Sequence, residues 1–88
     1  MFHKVKNVKP IGDYNLLVTF TDDTVKIYDV SRLFSKWEIF GSLKTVAGMF
    51  NQVKVDIGGY GISWNDEIDL SCDELWDNGV LTDRETVG

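Results

Sequence analysis

The chain reads as an α+β domain: an antiparallel sheet with elements in the order β-β-β-α-β-β-α, its helices packed on one face. Three observations predict this. Residues 14–29 and 53–64 each alternate apolar and polar side chains about a short polar or glycine-rich turn, the signature of a β-hairpin. "DLSCDELWDNGV" (69–80) carries start and stop signals for a helix. The 88 residues, 43% hydrophobic and 12% aromatic, supply enough apolar surface for one core and too little for two. We place the domain at residues 1–81 and read 82–88 as a polar, flexible tail.

The first strand is "HKVKNVKPI". Val5 and Val8 break strict alternation, which predicts a bulge, and Pro10 confines the strand to an edge or ends it. Lys4 and Lys6 there protect an edge against further pairing, which points to a monomer or at most a weak homodimer. Gly12-Asp13 turns the chain. In "YNLLVTF" Tyr14, Leu16, Val18 and Phe20 share a face. Taking Asp22-Asp23 as a two-residue loop sets Phe20 opposite Val25 and Val18 opposite Ile27, so that the two apolar faces coincide.

"SRLFSKWEIFGSLKTVAGMF" is the helical section. Ile39/Phe40, Leu43, Val46/Ala47 and Phe50 recur at helical spacing, and Ser42 can cap a short helix through about Gly48. Ser31 starts a shorter turn carrying Leu33 and Phe34. In "NQVKVDIGGYGISWND" a Gly58-Gly59 loop pairs Ile57 with Tyr60, Val55 with Ile62 and Val53 with Trp64, turning all six inward. A phosphate-binding loop would need a helix directly after the glycines, and here a strand follows. Gly58, Gly59 and Trp64 are therefore structural. In the last segment Ser71 and Glu74 form a capping box, Leu70 and Leu75 the hydrophobic staple, and Gly79 the helix stop.

The charge is uneven. Residues 1–48 hold seven Lys/Arg and five acids, whereas residues 49–88 hold two and nine. The net charge of −5 argues against direct nucleic acid binding by this chain alone, since phosphate contacts dominate that affinity. The longest apolar runs are four residues or fewer, too short to span a membrane. The first residues do not read as a signal peptide, and with Cys72 as the single cysteine the expected compartment is the cytoplasm.

No catalytic set is legible: His3 is the single histidine, and Cys72 opens a helix, where a thiol pKa can be lowered. The acids Asp66, Glu67, Asp69, Asp73, Glu74 and Asp77 lack the glycine of a calcium loop, and one Cys with one His falls short of a zinc site. No cofactor and no metal is expected. The candidates for partner contact are Asp66, Glu67, Asp69 and Trp76: an acidic surface with an aromatic anchor, suited to another small protein.

Three stretches, "YNLLVTFTDDTVKIYDV", "FGSLKTVAGMFNQVKVD" and "GISWNDEIDLSCDELWDNG", resemble a family of small bacterial proteins known as domain of unknown function 2442. The likeness runs from Val5 to about Val80. Its most specific part is Trp64, a polar turn, Ile68-Asp69-Leu70, then a Ser-capped helix with Glu74 and Leu75. The family usually shows Asp-Gly where this chain has Asp22-Asp23. The resemblance implies three antiparallel strands, a helical connection, two more strands and a terminal helix. It implies no catalytic residues. Relatives look like one half of toxin–antitoxin-like gene pairs, so an antitoxin-like, non-enzymatic interaction module is the expected function; a small-ligand-binding or accessory subunit is the alternative. Some relatives bear names linked to molybdopterin biosynthesis, which no motif here supports.

Overall fold

The computed structural model describes residues 3–82. The α+β class stands, and the strands divide between two antiparallel sheets. The first has the order β1-β2-β3-β7, formed by β1 (Val5–Ile11), β2 (Asn15–Phe20), β3 (Val25–Asp29) and β7 (Val80–Thr82). The second has the order β4-β5-β6, formed by β4 (Lys54–Val55), β5 (Gly61–Ser63) and β6 (Asp69–Ser71). Helix α1 (Ser42–Thr45) lies in the long connection after β3, and α2 (Cys72–Asn78) follows β6. The core gathers Leu16, Val18, Phe20 and Tyr28 from the first sheet, Ile62 and Leu70 from the second, and Phe40, Leu43, Trp64 and Leu75 from the segments between.

The β1–β2 pairing carries the expected irregularity, between Val5 and Asn7, and Pro10 sits on the edge strand. The second hairpin departs from expectation by one residue. Thr19 pairs with Val25, Val18 with Lys26 and Leu16 with Tyr28. Phe20 N–H donates to Thr24 O (2.8 Å) and Asp23 N–H to Phe20 O (2.9 Å), leaving a three-residue loop. Asp23 closes it at φ 72°, the position a glycine usually fills in such loops. Asp22 Oδ1 accepts from Thr24 N–H at 3.0 Å, which holds the turn and keeps the Asp22 carboxyl below its ordinary pKa. A one-residue shift exchanges faces. Val25 and Ile27 therefore lie opposite Thr19 and Leu17, not on the face of Phe20 and Val18, and Tyr28 fills the core instead. Tyr14 leaves the strand: it stands in the turn at φ 62°, its ring held edge-on by Phe34 and Phe50, both with centroids at 5.2 Å.

The helical section is more broken than its periodicity predicts. Asp29, not Ser31, caps the turn Val30–Leu33 by accepting from Ser31 N–H. Gly41, not Ser42, precedes α1, which makes a single turn and ends at Val46. Phe40, Leu43 and Phe50 are buried, while Ile39 and Val46 are exposed. The break towards Phe50 is made at Val46, extended at φ −94° and ψ 116°, with Gly48 following at φ 79°.

In the glycine hairpin the register is as predicted, Val55 opposite Ile62, but the loop has four residues. Asp56 N–H donates to Gly61 O, and Gly59 N–H returns to Asp56 O. Gly58, at φ 82° and ψ −8°, occupies the third position of a type II turn, which requires positive φ. Ile57 and Tyr60 are therefore loop residues and do not face inward: Ile57 is 99% exposed and Tyr60 49%. Gly59 is buried, and a Cβ there would lie 2.6 Å from Val5 O, so it fixes the approach of the two sheets. Strand β5 begins at Gly61, so no helix N-terminus follows these glycines. Trp64 is in the core, its Nε1–H donating to Phe50 O at 3.1 Å.

Ser71 caps α2 as expected, its hydroxyl accepting from Glu74 N–H at 3.1 Å, over buried Leu70 and Leu75. Only that half of the capping box forms, because the Glu74 carboxylate accepts from Tyr28 Oη–H at 2.7 Å. Gly79 ends the helix with extended backbone (φ −77°, ψ 155°), not in the left-handed cap conformation. A Cβ there would meet Leu75 O at 2.5 Å and Lys26 Cβ at 3.1 Å. Thr82, counted above in the tail, pairs with Val25 in β7; the rest of that tail, residues 83–88, lies outside the described residues.

Candidate functional site

The described surface includes two concavities of note. The larger, about 400 Å³, lies between the β1–β2 turn (Asp13, Tyr14) and the segment from Leu43 to Asn51; its charged lining is Asp13 and Lys44. The second, about 360 Å³, runs along β6. Phe40 and Leu70, both buried, contribute its apolar lining. Trp37 forms one wall and is 46% exposed, tilted against Phe40 with centroids 5.9 Å apart. Lys36 Nζ lies 4.8 Å from the Trp37 centroid, a cation over an aromatic face. Glu67, Asp69, Ser71 and Glu74 complete the lining.

Local structure sets each carboxylate in place. Trp64 N–H donates to Ile68 O and closes a tight reversal. Within it Asn65 Oδ1 accepts from both Glu67 N–H (2.8 Å) and Ile68 N–H (2.9 Å), an Asx turn that orients Glu67. Asp69 lies on β6, where alternation buries Leu70 and exposes its neighbours. Glu74 is held by Tyr28. Three acidic residues thus line a groove walled by a half-exposed indole, and none of them forms an ion pair among the described residues. A site of this kind attracts a cation, which would share the Trp37 ring with Lys36 or displace it.

Of the four residues expected to contact a partner, the fold brings Glu67 and Asp69 together in this groove. Asp66 is exposed at the tip of the reversal and does not line it. Trp76 does not line it either. Its ring stacks on His3 (3.6 Å, 3°), meets Phe20 edge-on and receives Lys26 Nζ 4.2 Å from its centroid; Lys26 also donates to Trp76 O. The aromatic of the groove is Trp37. Its signal in the sequence is a tryptophan in the polar setting "SKWE", outside the Phe40–Leu43 repeat.

Two further groups have shifted acidities. Burial raises the Cys72 thiol pKa, with the Asp73 charge adding to it, the reverse of the lowering considered for a helix start. Burial also raises Tyr28, reinforced by its bond to Glu74 and by that carboxylate's charge. Among the described residues no three His, Cys, Asp or Glu side chains are grouped to hold a metal ion. No helix among them is long and apolar enough to cross a membrane.

The chain is thus a small two-sheet α+β domain with an acid-lined aromatic groove along one edge strand. The chain belongs to the family described as "Protein of unknown function (DUF2442)", whose model matches residues 5–80. No curated protein and no solved structure matches the chain.

Proposed function

We propose that the protein is a non-enzymatic interaction module that binds a small, basic partner protein through the groove of Trp37, Glu67, Asp69 and Glu74. The observation that carries this reading is that Glu67, Asp69 and Glu74, which form no ion pair among the described residues, line one groove with the half-exposed Trp37. Tryptophan anchors with apolar floors dominate binding energy at interfaces, and surrounding charge speeds encounter and selects the partner. The two groups with raised pKa values are buried side chains with structural roles, Tyr28 bonding Glu74 and Cys72 packing in the core. The sharpest form of the reading is antitoxin-like neutralisation of a cognate protein encoded beside it, which the family resemblance supports. The single free, buried thiol suits a reducing cytoplasm.

Co-expression with the neighbouring gene's product, followed by capture at low salt, tests this. The wild-type chain retains the partner, and Glu67→Lys/Asp69→Lys releases it. Failure of the wild type to co-purify its partner, or equal retention by the reversed-charge variant, would sink the reading. The small-ligand alternative draws on the 400 Å³ cavity beside Tyr14 and Lys44. It requires saturable shifts of those residues in a metabolite screen.

A further inference from the structure

Strand β6 is the outer strand of its sheet, and the groove follows its open side. The hydrogen-bond pattern shows which of its backbone groups remain available. Trp64 N–H donates to Ile68 O and Cys72 N–H to Tyr60 O, so the bonded positions facing β5 are 68, 70 and 72. In an antiparallel ladder these alternate with positions whose N–H and C=O point the other way. Asp69 and Ser71 are those positions, opposite Ser63 and Gly61. The N–H and C=O of Asp69 and the N–H of Ser71 therefore face the groove side, with no strand beyond them among the described residues. The start of α2 at Cys72 ends this edge after three residues. An exposed strand edge of this kind is a template for an incoming extended segment, whose alternate side chains then fall into flanking pockets.

The pocket here is acidic and aromatic. A side chain projecting from a segment paired at Asp69 meets Trp37, Glu67 and Glu74. Arginine fits best, since its planar guanidinium stacks on an indole while its fork binds carboxylates bidentately. Resting on the reading of the protein as an interaction module, we propose that the partner docks by adding a basic extended segment to β6. Its backbone pairs with Asp69 and Ser71, and an arginine lies against Trp37 among the carboxylates.

The test uses the full chain, ¹⁵N-labelled, and an acetylated, amidated peptide of alternating valine and arginine at millimolar concentration. Expected are saturable shifts of the Asp69 and Ser71 amides and of the Trp37 indole, with slowed hydrogen exchange at the two amides. A peptide with glutamate in place of arginine gives none of these. N-methylation of the pairing amides weakens binding about tenfold, the loss of roughly one to two hydrogen bonds. Shifts at Trp37 with the Asp69 and Ser71 amides unmoved would overturn strand addition, as would equal binding of the N-methylated peptide or no binding at all. Self-association through the basic strand β1, seen as concentration-dependent growth in size with the same amides protected, would also overturn it by making a second copy the occupant. A partner that co-purifies while the peptide arms fail leaves the interaction module standing without this mode; peptide binding with no co-purifying partner does the converse.

Discussion

Tyr28→Phe removes the hydroxyl that ties β3 to α2 while keeping the ring that fills the core. A hydrogen bond to a charged acceptor contributes about 1.5–3 kcal/mol. Glu74 is only half-buried, so water can take up its carboxylate in the variant, and the lower end applies. A loss of about 1.5 kcal/mol lowers the melting temperature by roughly 6–12 °C in a chain of this size. The same bond makes the loss depend on pH. Burial, then the bond to Glu74 and its charge, hold the phenol far above its ordinary pKa. The unfolded chain releases this proton at about pH 10. Above that point the folded chain still holds it, so the stability it confers is intact below pH 10 and falls as pH rises, by up to about 1.4 kcal/mol per pH unit. Urea unfolding from pH 7 to 11, followed by tryptophan fluorescence, should show wild type and variant separated by about 1.5 kcal/mol at neutral pH and converging towards about pH 11. Equal stability at pH 7, or a gap that stays constant to pH 11, would refute the role given to this bond.

Three further outcomes follow from the geometry. Asp23→Gly should stabilise the domain by about 0.5 kcal/mol, the relief of left-handed backbone exceeding glycine's extra entropy in the unfolded chain. Melting in high salt, which screens the exposed Lys6–Asp23 pair at 3.0 Å, isolates this gain, and a lower melting temperature there would count against the turn described. Gly61→Ala should cost about 1–3 kcal/mol, because a Cβ would lie 2.5 Å from Leu70 O; chemical denaturation showing no loss would mean that β5 and β6 pack less closely. Cys72, buried and with a raised pKa, should react with iodoacetamide at pH 8 far more slowly than in the urea-unfolded chain, and comparable rates would place the thiol at the surface.

The parts of the fold that were legible in the sequence are those where a residue type answers to one physical need. Ser71 and Gly79 bracket α2, Val55 faces Ile62, and Pro10 lies at an edge. Loop length was harder to read. Two adjacent glycines look like a two-residue turn, yet Gly59 is needed where it passes Val5, which moves Ile57 and Tyr60 into the loop. Asp23 likewise adds one residue to its turn and reverses the faces of Val25 and Ile27. Strands β6 and β7 have three residues each, too few for a period to declare itself, and both exist through tertiary pairing. Of the groove, the acids at 67 and 69 were legible as an acidic run. The indole was assigned to Trp76 instead of Trp37, because only the path of the chain through 34–41 brings Trp37 to β6.

Calorimetric titration of the co-expressed partner into the wild-type chain and into Trp37→Ala/Glu67→Ala addresses the groove itself, at a temperature well below the melting point of both chains, since Trp37 packs on Phe40 and its loss also lowers stability. Affinity at least about tenfold weaker for the variant is expected, equivalent to about 1.4 kcal/mol at an anchor position. Equal affinity for the two chains would place the binding surface elsewhere on the molecule and contradict the assignment of this groove.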